Sequence, residues 1–183
     1  MSTAAPQTVT SWNLDATHSA AEFKVRHLMI SSVKGHFTGI TGSMKLDENN
    51  IANSSVEASI DASSIQTRDP QRDTHLKSAD FFDVEKYPTL TFKSTSVKRT
   101  GDDELEVTGD LTIHGVTRQE VFKVEGPTPP TKDPWGNMRV GLSAVAKIHR
   151  KDFGLEWNAT LETGGIMVGD DVTLTLDVQF VKG

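Results

Sequence analysis

Apolar and polar residues alternate with a period of two along most of the chain, as in strands with one face inward and one in water. In "SAAEFKVRHL", Ala21, Phe23, Val25 and His27 share a face, with Glu22, Lys24 and Arg26 on the other. In "VKGHFTGITGSMKLD" the inward set is Val33, Gly35 and Phe37, then Ile40, Gly42, Met44 and Leu46. That slip of phase beside Gly39 predicts a β-bulge and a sharp bend. Alternation resumes in Val56, Ala58 and Ile60, in Leu90 and Phe92, and in Leu105, Val107, Leu111 and Ile113. It continues in Met138, Val140, Leu142, Ala144, Ala146 and Ile148, and ends with Val172, Leu174, Leu176, Val178 and Phe180. The turn-forming stretches "DENN", "TGDD", "GPTPPTKDPWGN" and "GGIMVGDD" separate these runs.

About eight such strands predict an all-β, antiparallel sheet with one solvated face, and closing it into a barrel removes the exposed edges. Long strands and short connections favour an up-and-down barrel; two packed sheets are the rival. One domain is expected over residues 12–183, after a flexible N-terminal segment of residues 1–11.

The alternation breaks at "RDTHLKSADFFDVEKYP", residues 72–88. Asp69 followed by Pro70 predicts a helix N-cap and first helical position. Asp80 is the expected cap of a second short turn, and Pro88 ends it. The result is a short helical insertion near residues 69–87. On a helical turn Phe81 and Phe82 diverge by about 100°, so one can face the barrel while the other covers a rim. The pair reads either as a plug sealing the barrel or as the gate of an apolar tunnel. Gly35, Ala58, Ala62, Gly109, Ala144 and Ala146 are small residues at inward positions. They either leave room for a ligand or accommodate large side chains from other strands, and the pattern leaves both readings open.

With 19 basic and 25 acidic residues the formal net charge is −6, which disfavours nucleic acid and anionic membrane surfaces as partners. The absence of cysteine excludes disulfides, thiolate metal sites and Cys nucleophiles. No stretch approaches the ~18 apolar residues of a membrane span. The opening "MSTAAPQTVTSW" has no basic or apolar leader, so cytoplasmic residence is expected, or periplasmic if a leader has been removed. The six histidines, His18, His27, His36, His75, His114 and His149, form no metal-ligand spacing, so no metal is assigned. With no nucleophile elbow and no phosphate-binding loop, no catalytic residue is assigned either.

Four stretches taken in order carry a resemblance. These are "LDATHSAAEFKVRHLMISSVKGHFTGITG", "RDTHLKSADFFDVEKYPTLTFKS", "GDLTIHGVTRQEV" and "RKDFGLEWN" followed by "VGDDVTLTLDVQF". From about Trp12 to Phe180 the chain resembles the YceI-like family of polyisoprenoid-binding proteins. The resemblance implies a lipocalin-like barrel whose elongated interior holds a long-chain isoprenoid, and a binder or carrier, not an enzyme. It implies a tunnel lined by Phe23, Val25, Phe37, Ile60, Leu76, Phe81, Phe82, Phe92, Leu111, Ile113, Leu142, Ala144, Ala146, Ile148, Phe153, Leu174 and Leu176. His27, Arg72, His75, His114 and Arg150 are the expected polar groups at a mouth where a head group would sit. For the arginines, ordinary pairing with Asp73, Asp80 or Asp152 is the alternative. Gly115 and Gly154 read as turn requirements. No cofactor is expected; the expected ligand is a polyisoprenoid, an isoprenoid quinone or a fatty-acid-like lipid. The sequence does not fix the oligomeric state; family analogy alone makes a homodimer possible. Two other readings stay open, an enzyme acting on a bound lipid or quinone and a structural barrel with a filled core.

Overall fold

The structure, a computed structural model, describes residues 9–159, 161, 162, 165 and 167–183. Its strands form one antiparallel sheet that closes on itself. The first rung has two halves, β1 (Val9–Leu14) and β2 (Ala20–His27), separated by a single 3-10 turn at Ala16–His18. The second rung is β3 (Ser31–Phe37) and β4 (Ile40–Asp47), and the third is β5 (Ser55–Asp61) and the short β6 (Ile65–Gln66). Helix α1 (Pro70–Lys77) follows, then β7 (Thr89–Arg99), β8 (Glu104–Ile113) and β9 (Val116–Glu125). A two-residue strand, β10 (Thr131–Lys132), flanks β11 (Met138–His149), and β12 (Val168–Lys182) ends the chain.

Each rung pairs with the next in sequence, and β12 returns to the first rung with Leu14 opposite Phe180 and Phe23 opposite Leu174. The result is a closed eight-stranded up-and-down barrel, not two packed sheets. Closure leaves no long unpaired edge, which explains how so many half-apolar strands coexist in one chain. The bend beside Gly39 falls where the alternation slips. Its N–H donates to Ser64 Oγ at 3.0 Å, and a Cβ there would come within 2.9 Å of Asp61 Cβ.

Helix α1 starts as its cap predicts, with Asp69 Oδ1 accepting from the N–H groups of Gln71 and Arg72 at 3.0 and 3.2 Å. The second cap is a correction. Residues 78–87 form turns, because Asp83 sits at φ 47, a value no helix accommodates. The Asp80 carboxylate meets His75 Nε2 at 2.8 Å instead of capping. The domain start also differs. Residues 9–11 belong to β1, which Trp12 anchors by being only 2% exposed; residues 1–8 of the expected flexible segment lie outside the described residues.

The two ends of the barrel differ in what covers them. The β2–β3 loop, α1, the His114–Gly115 turn and the segment after β11 gather at one end, hereafter the helix end. Strand β1 starts and β12 finishes at the other, the terminus end.

Candidate functional site

Inward side chains leave an interior in two chambers. The chamber toward the terminus end has a volume of about 170 Å³ and is almost wholly apolar, lined by residues such as Met44, Ile60, Phe92, Val107, Leu142 and Leu176. The chamber at the helix end measures about 400 Å³ and reaches the surface past the exposed Arg26 and Gln71. Phe37, Leu90, Ile113 and Leu174 line both, so they form the partition between them. The Phe37 ring is braced there by Phe23 at 5.8 Å and by Phe82, edge-on, at 6.0 Å.

The small inward residues turn out to serve both purposes the sequence allowed. The Phe23 ring lies across Gly35, where a Cβ would come within 2.3 Å of it, and Phe92 covers Gly109 in the same way at 2.5 Å. Ala58 and Ala144 instead line the inner chamber. Rings fill part of the interior and a lumen remains.

Of the expected tunnel residues, Ile60, Phe92, Leu111, Leu142, Ala144 and Leu176 line the inner chamber. Phe23, Val25, Leu76, Phe81, Phe82 and Ile148 line the outer one, and Phe37, Ile113 and Leu174 line both. Two do not reach the lumen. Phe153 is 0% exposed within the core under the 3-10 turn that follows β11, and Ala146 packs in the cluster around Phe122.

Phe81 and Phe82 diverge as expected. Phe82 turns inward to the partition, whereas Phe81 forms an aromatic triangle with His75 and Trp157. The centroids lie 5.1 Å apart for His75–Phe81, 4.7 Å for His75–Trp157 and 5.4 Å for Phe81–Trp157. Trp157 lies in an irregular stretch without periodicity, so no sequence pattern marks it. Met44, Val107 and Phe180 were in register with the inward faces, so the signal for them was present.

The expected polar mouth divides. His27, Arg72, His75 and Arg150 border the outer chamber. His114 does not; it occupies the β8–β9 turn at φ 55, against Tyr87 at 4.8 Å and the Phe153 carbonyl at 3.3 Å. Gly115 beside it, at φ 72, leaves room for the Tyr87 ring, so the pair is a two-residue hairpin turn. Arg72 is held by Thr67, its Nε donating to Thr67 Oγ1 at 2.8 Å, while that hydroxyl and the Thr67 N–H both donate to Asp73.

Arg150 is 3% exposed, and its donors are engaged by the chain itself. Nε donates to the Gly169 carbonyl at 2.8 Å, Nη1 to those of Leu155 and Trp157 at 2.6 and 2.9 Å, and Nη2 to that of Val168 at 3.3 Å. Burial lowers its pKa from the ordinary guanidinium value, and Asp170, 3.7 Å away, acts in the opposite direction. The geometry makes Arg150 a clamp on the segment that carries Trp157. Among the described residues no three His, Asp or Glu side chains are grouped to hold a metal ion.

A closed eight-stranded antiparallel up-and-down barrel with an apolar interior defines a lipocalin-like fold. The model of the YceI-like domain matches residues 12–180, and the chain belongs to the YceI-like family. It is 38% identical to a UPF0312 protein of Staphylococcus aureus over 94% of this chain and 98% of that one. It resembles the Campylobacter jejuni YCEI protein with a TM-score of 0.72 and 30% identity, over 86% of this chain and 90% of that one. Burkholderia cenocepacia BcnA shares the fold at 22% identity and a TM-score of 0.78, over 91% of this chain and 98% of the other. So does a polyisoprenoid binding domain from Saccharophagus degradans, at 17% identity and a TM-score of 0.68, over 95% and 99% of the two chains. No helix among the described residues is long and apolar enough to cross a membrane.

Proposed function

We propose that the chain binds and carries a long-chain isoprenoid, an isoprenoid quinone or a similar apolar lipid in the two-chambered lumen, without chemistry on it. The observation that carries this reading is the lumen itself. Its outer part, at about 400 Å³, has the size of small-molecule sites, and a second, apolar chamber of about 170 Å³ lies beyond the Phe37 partition toward the far end. An extended chain suits such a shape better than a compact ligand. Each buried methylene supplies ~0.8 kcal/mol gross, from which ordering the chain subtracts. The Saccharophagus degradans neighbour of the same fold is described as a polyisoprenoid binding domain, which supports such a cargo.

The mouth supports binding over catalysis. Arg72 and Arg150 direct donors at the chain's own oxygens, and the His75 ring is packed between two aromatics. A polar head group would meet Arg26, His27 and Gln71 at the opening.

Solvent extraction of protein purified without added lipid is expected to release a long apolar molecule, read by mass spectrometry. Protein that releases none, and that also fails to exchange a hydrophobic dye for a polyprenyl alcohol, overturns the reading. Phe82→Ala removes the ring that braces Phe37, loosens the partition and is expected to speed release about tenfold. If it lowers the melting temperature and leaves release unchanged, Phe82 is a structural plug.

A further inference from the structure

The β2–β3 hairpin ends in an apolar tip that the barrel does not use. His27 opposite Ser31 is the last paired position, and Leu28, Met29 and Ile30 make the loop. Met29 is 52% and Ile30 77% exposed. Leu28 and Met29 lie at φ 52 and 60, the left-handed region that favours glycine or asparagine. Polar turn residues would relieve that backbone and keep the tip in water. Apolar residues in a strained, exposed turn therefore call for a role outside the fold.

The tip's position supplies one. The Leu28 N–H donates to the Met167 carbonyl at 2.8 Å, and Met167, Arg26 and His27 line the outer chamber, so the tip rises from the rim of the opening. Arg26 Nη2 donates to the Met29 carbonyl at 2.9 Å and places its charge at the tip. With Lys24 and Lys34 the hairpin exposes three cations against one carboxylate, Glu22, in a chain of net charge −6. An apolar wedge with cations behind it is the chemistry of an anionic lipid surface.

We propose that the Leu28–Ile30 tip inserts into the interfacial layer of an anionic bilayer and seats the open chamber against it, so that cargo passes between bilayer and lumen without crossing water. The inference rests on the lipid-cargo reading above. The acidic balance of the whole chain does not oppose it, because surface attraction is set within a Debye length, about 8 Å at physiological salt.

The test is flotation of the full chain with vesicles of phosphatidylglycerol and phosphatidylcholine, and with phosphatidylcholine alone. Wild type is expected to float with the anionic vesicles, and more weakly with the neutral ones. Met29→Asn combined with Ile30→Ser is expected to cut flotation at least about tenfold. Asparagine tolerates the left-handed backbone, so the variant is expected to fold, as an unchanged melting temperature would confirm. Trp135→Ser removes an indole that is 81% exposed in the loop before β11, at the terminus end, and is expected to change nothing. Flotation of the double variant equal to wild type, loss of flotation in Trp135→Ser, or no flotation of wild type on either vesicle overturns the proposal. Uptake of a long polyprenyl alcohol delivered in detergent should be the same in wild type and the tip variant. If neither takes it up while wild type still floats and the tip variant does not, the cargo reading fails and the docking surface stands.

Discussion

The terminus end and the helix end of this barrel are held by different interactions. At the terminus end Trp12, Val140 and Phe180 are each 2% exposed and pack between strands that are themselves hydrogen-bonded. Arg139 ties the end together across the sequence, reaching Asp15 at 2.7 Å and Asp133 at 2.8 Å. At the helix end the cover is made of inserted segments outside the strand ladder. Side chains hold it to backbone: Asp69 on the start of α1, Arg72 on Thr67, and Arg150 on four carbonyls. The cover at the helix end is thus attached by side-chain contacts, with Phe153 and Leu155 buried beneath it, and not by strand pairing, so it is the part expected to open locally. Passage of a long apolar molecule, as proposed above, would use this end, since access routes come from the low-stability part of a fold.

The largest effect is expected from Trp12→Ala, which removes a fully packed indole and should cost about 3–5 kcal/mol by denaturant unfolding. A loss under about 1 kcal/mol would mean that the terminus end is not where stability resides. Arg150→Ala comes next, at about 3 kcal/mol, because it strands several buried carbonyls at once. Its signature should be local. Hydrogen exchange should accelerate in residues 155–159 and in α1, with amides of β1 and of the β12 end near Phe180 unaffected. Equal acceleration at both ends would erase the distinction between them.

How much of this asymmetry the sequence reveals follows from what produces each part. Strand interiors obey a period of two, so the inward sets of β2, β4, β8, β11 and β12, and the slip beside Gly39, could be read directly. The start of α1 was legible because Asp69 and Pro70 act within three residues. Contacts made by convergence were not. Nothing local marks Trp157 as the partner of Phe81 and His75, or Arg150 as a clamp on Leu155, Trp157, Val168 and Gly169. His114 looked like a mouth residue and is a turn residue, because a histidine beside a glycine can equally serve a two-residue hairpin. Asp80 has the position of a cap in the sequence, whereas its carboxylate pairs with His75, five positions earlier. β1 was partly missed for another reason. "VTSWNL" has too few apolar residues to show alternation, and only its pairing with β4 and β12 makes it a strand.

The smallest effect is the most diagnostic, because it separates charge from packing at the terminus end. Hydrogen bonds from Thr17, Arg139 and His18 hold the Asp15 carboxyl well below the usual carboxylate range. Arg139, aided by groups in the Asp133–Asn137 turn, lowers Asp133 from its ordinary 3.8 to about 2. A carboxylate whose pKa is lower in the folded than in the unfolded protein contributes stability that is complete above the unfolded value and disappears as pH falls through the folded one. For Asp133 that window runs from about pH 4 down to about pH 2. Arg139→Ala should let Asp133 return toward its ordinary value, and Asp15 less so, since Thr17 and His18 remain beside it. The variant should therefore melt below wild type at neutral pH, and the two melting temperatures should converge as the pH is lowered through that window. A gap of constant size from neutral to acid pH would show that Arg139 holds the terminus end through its aliphatic stem and not its charge. Lipid release from the helix end should be the same in both proteins at neutral pH, since Arg139 borders neither chamber.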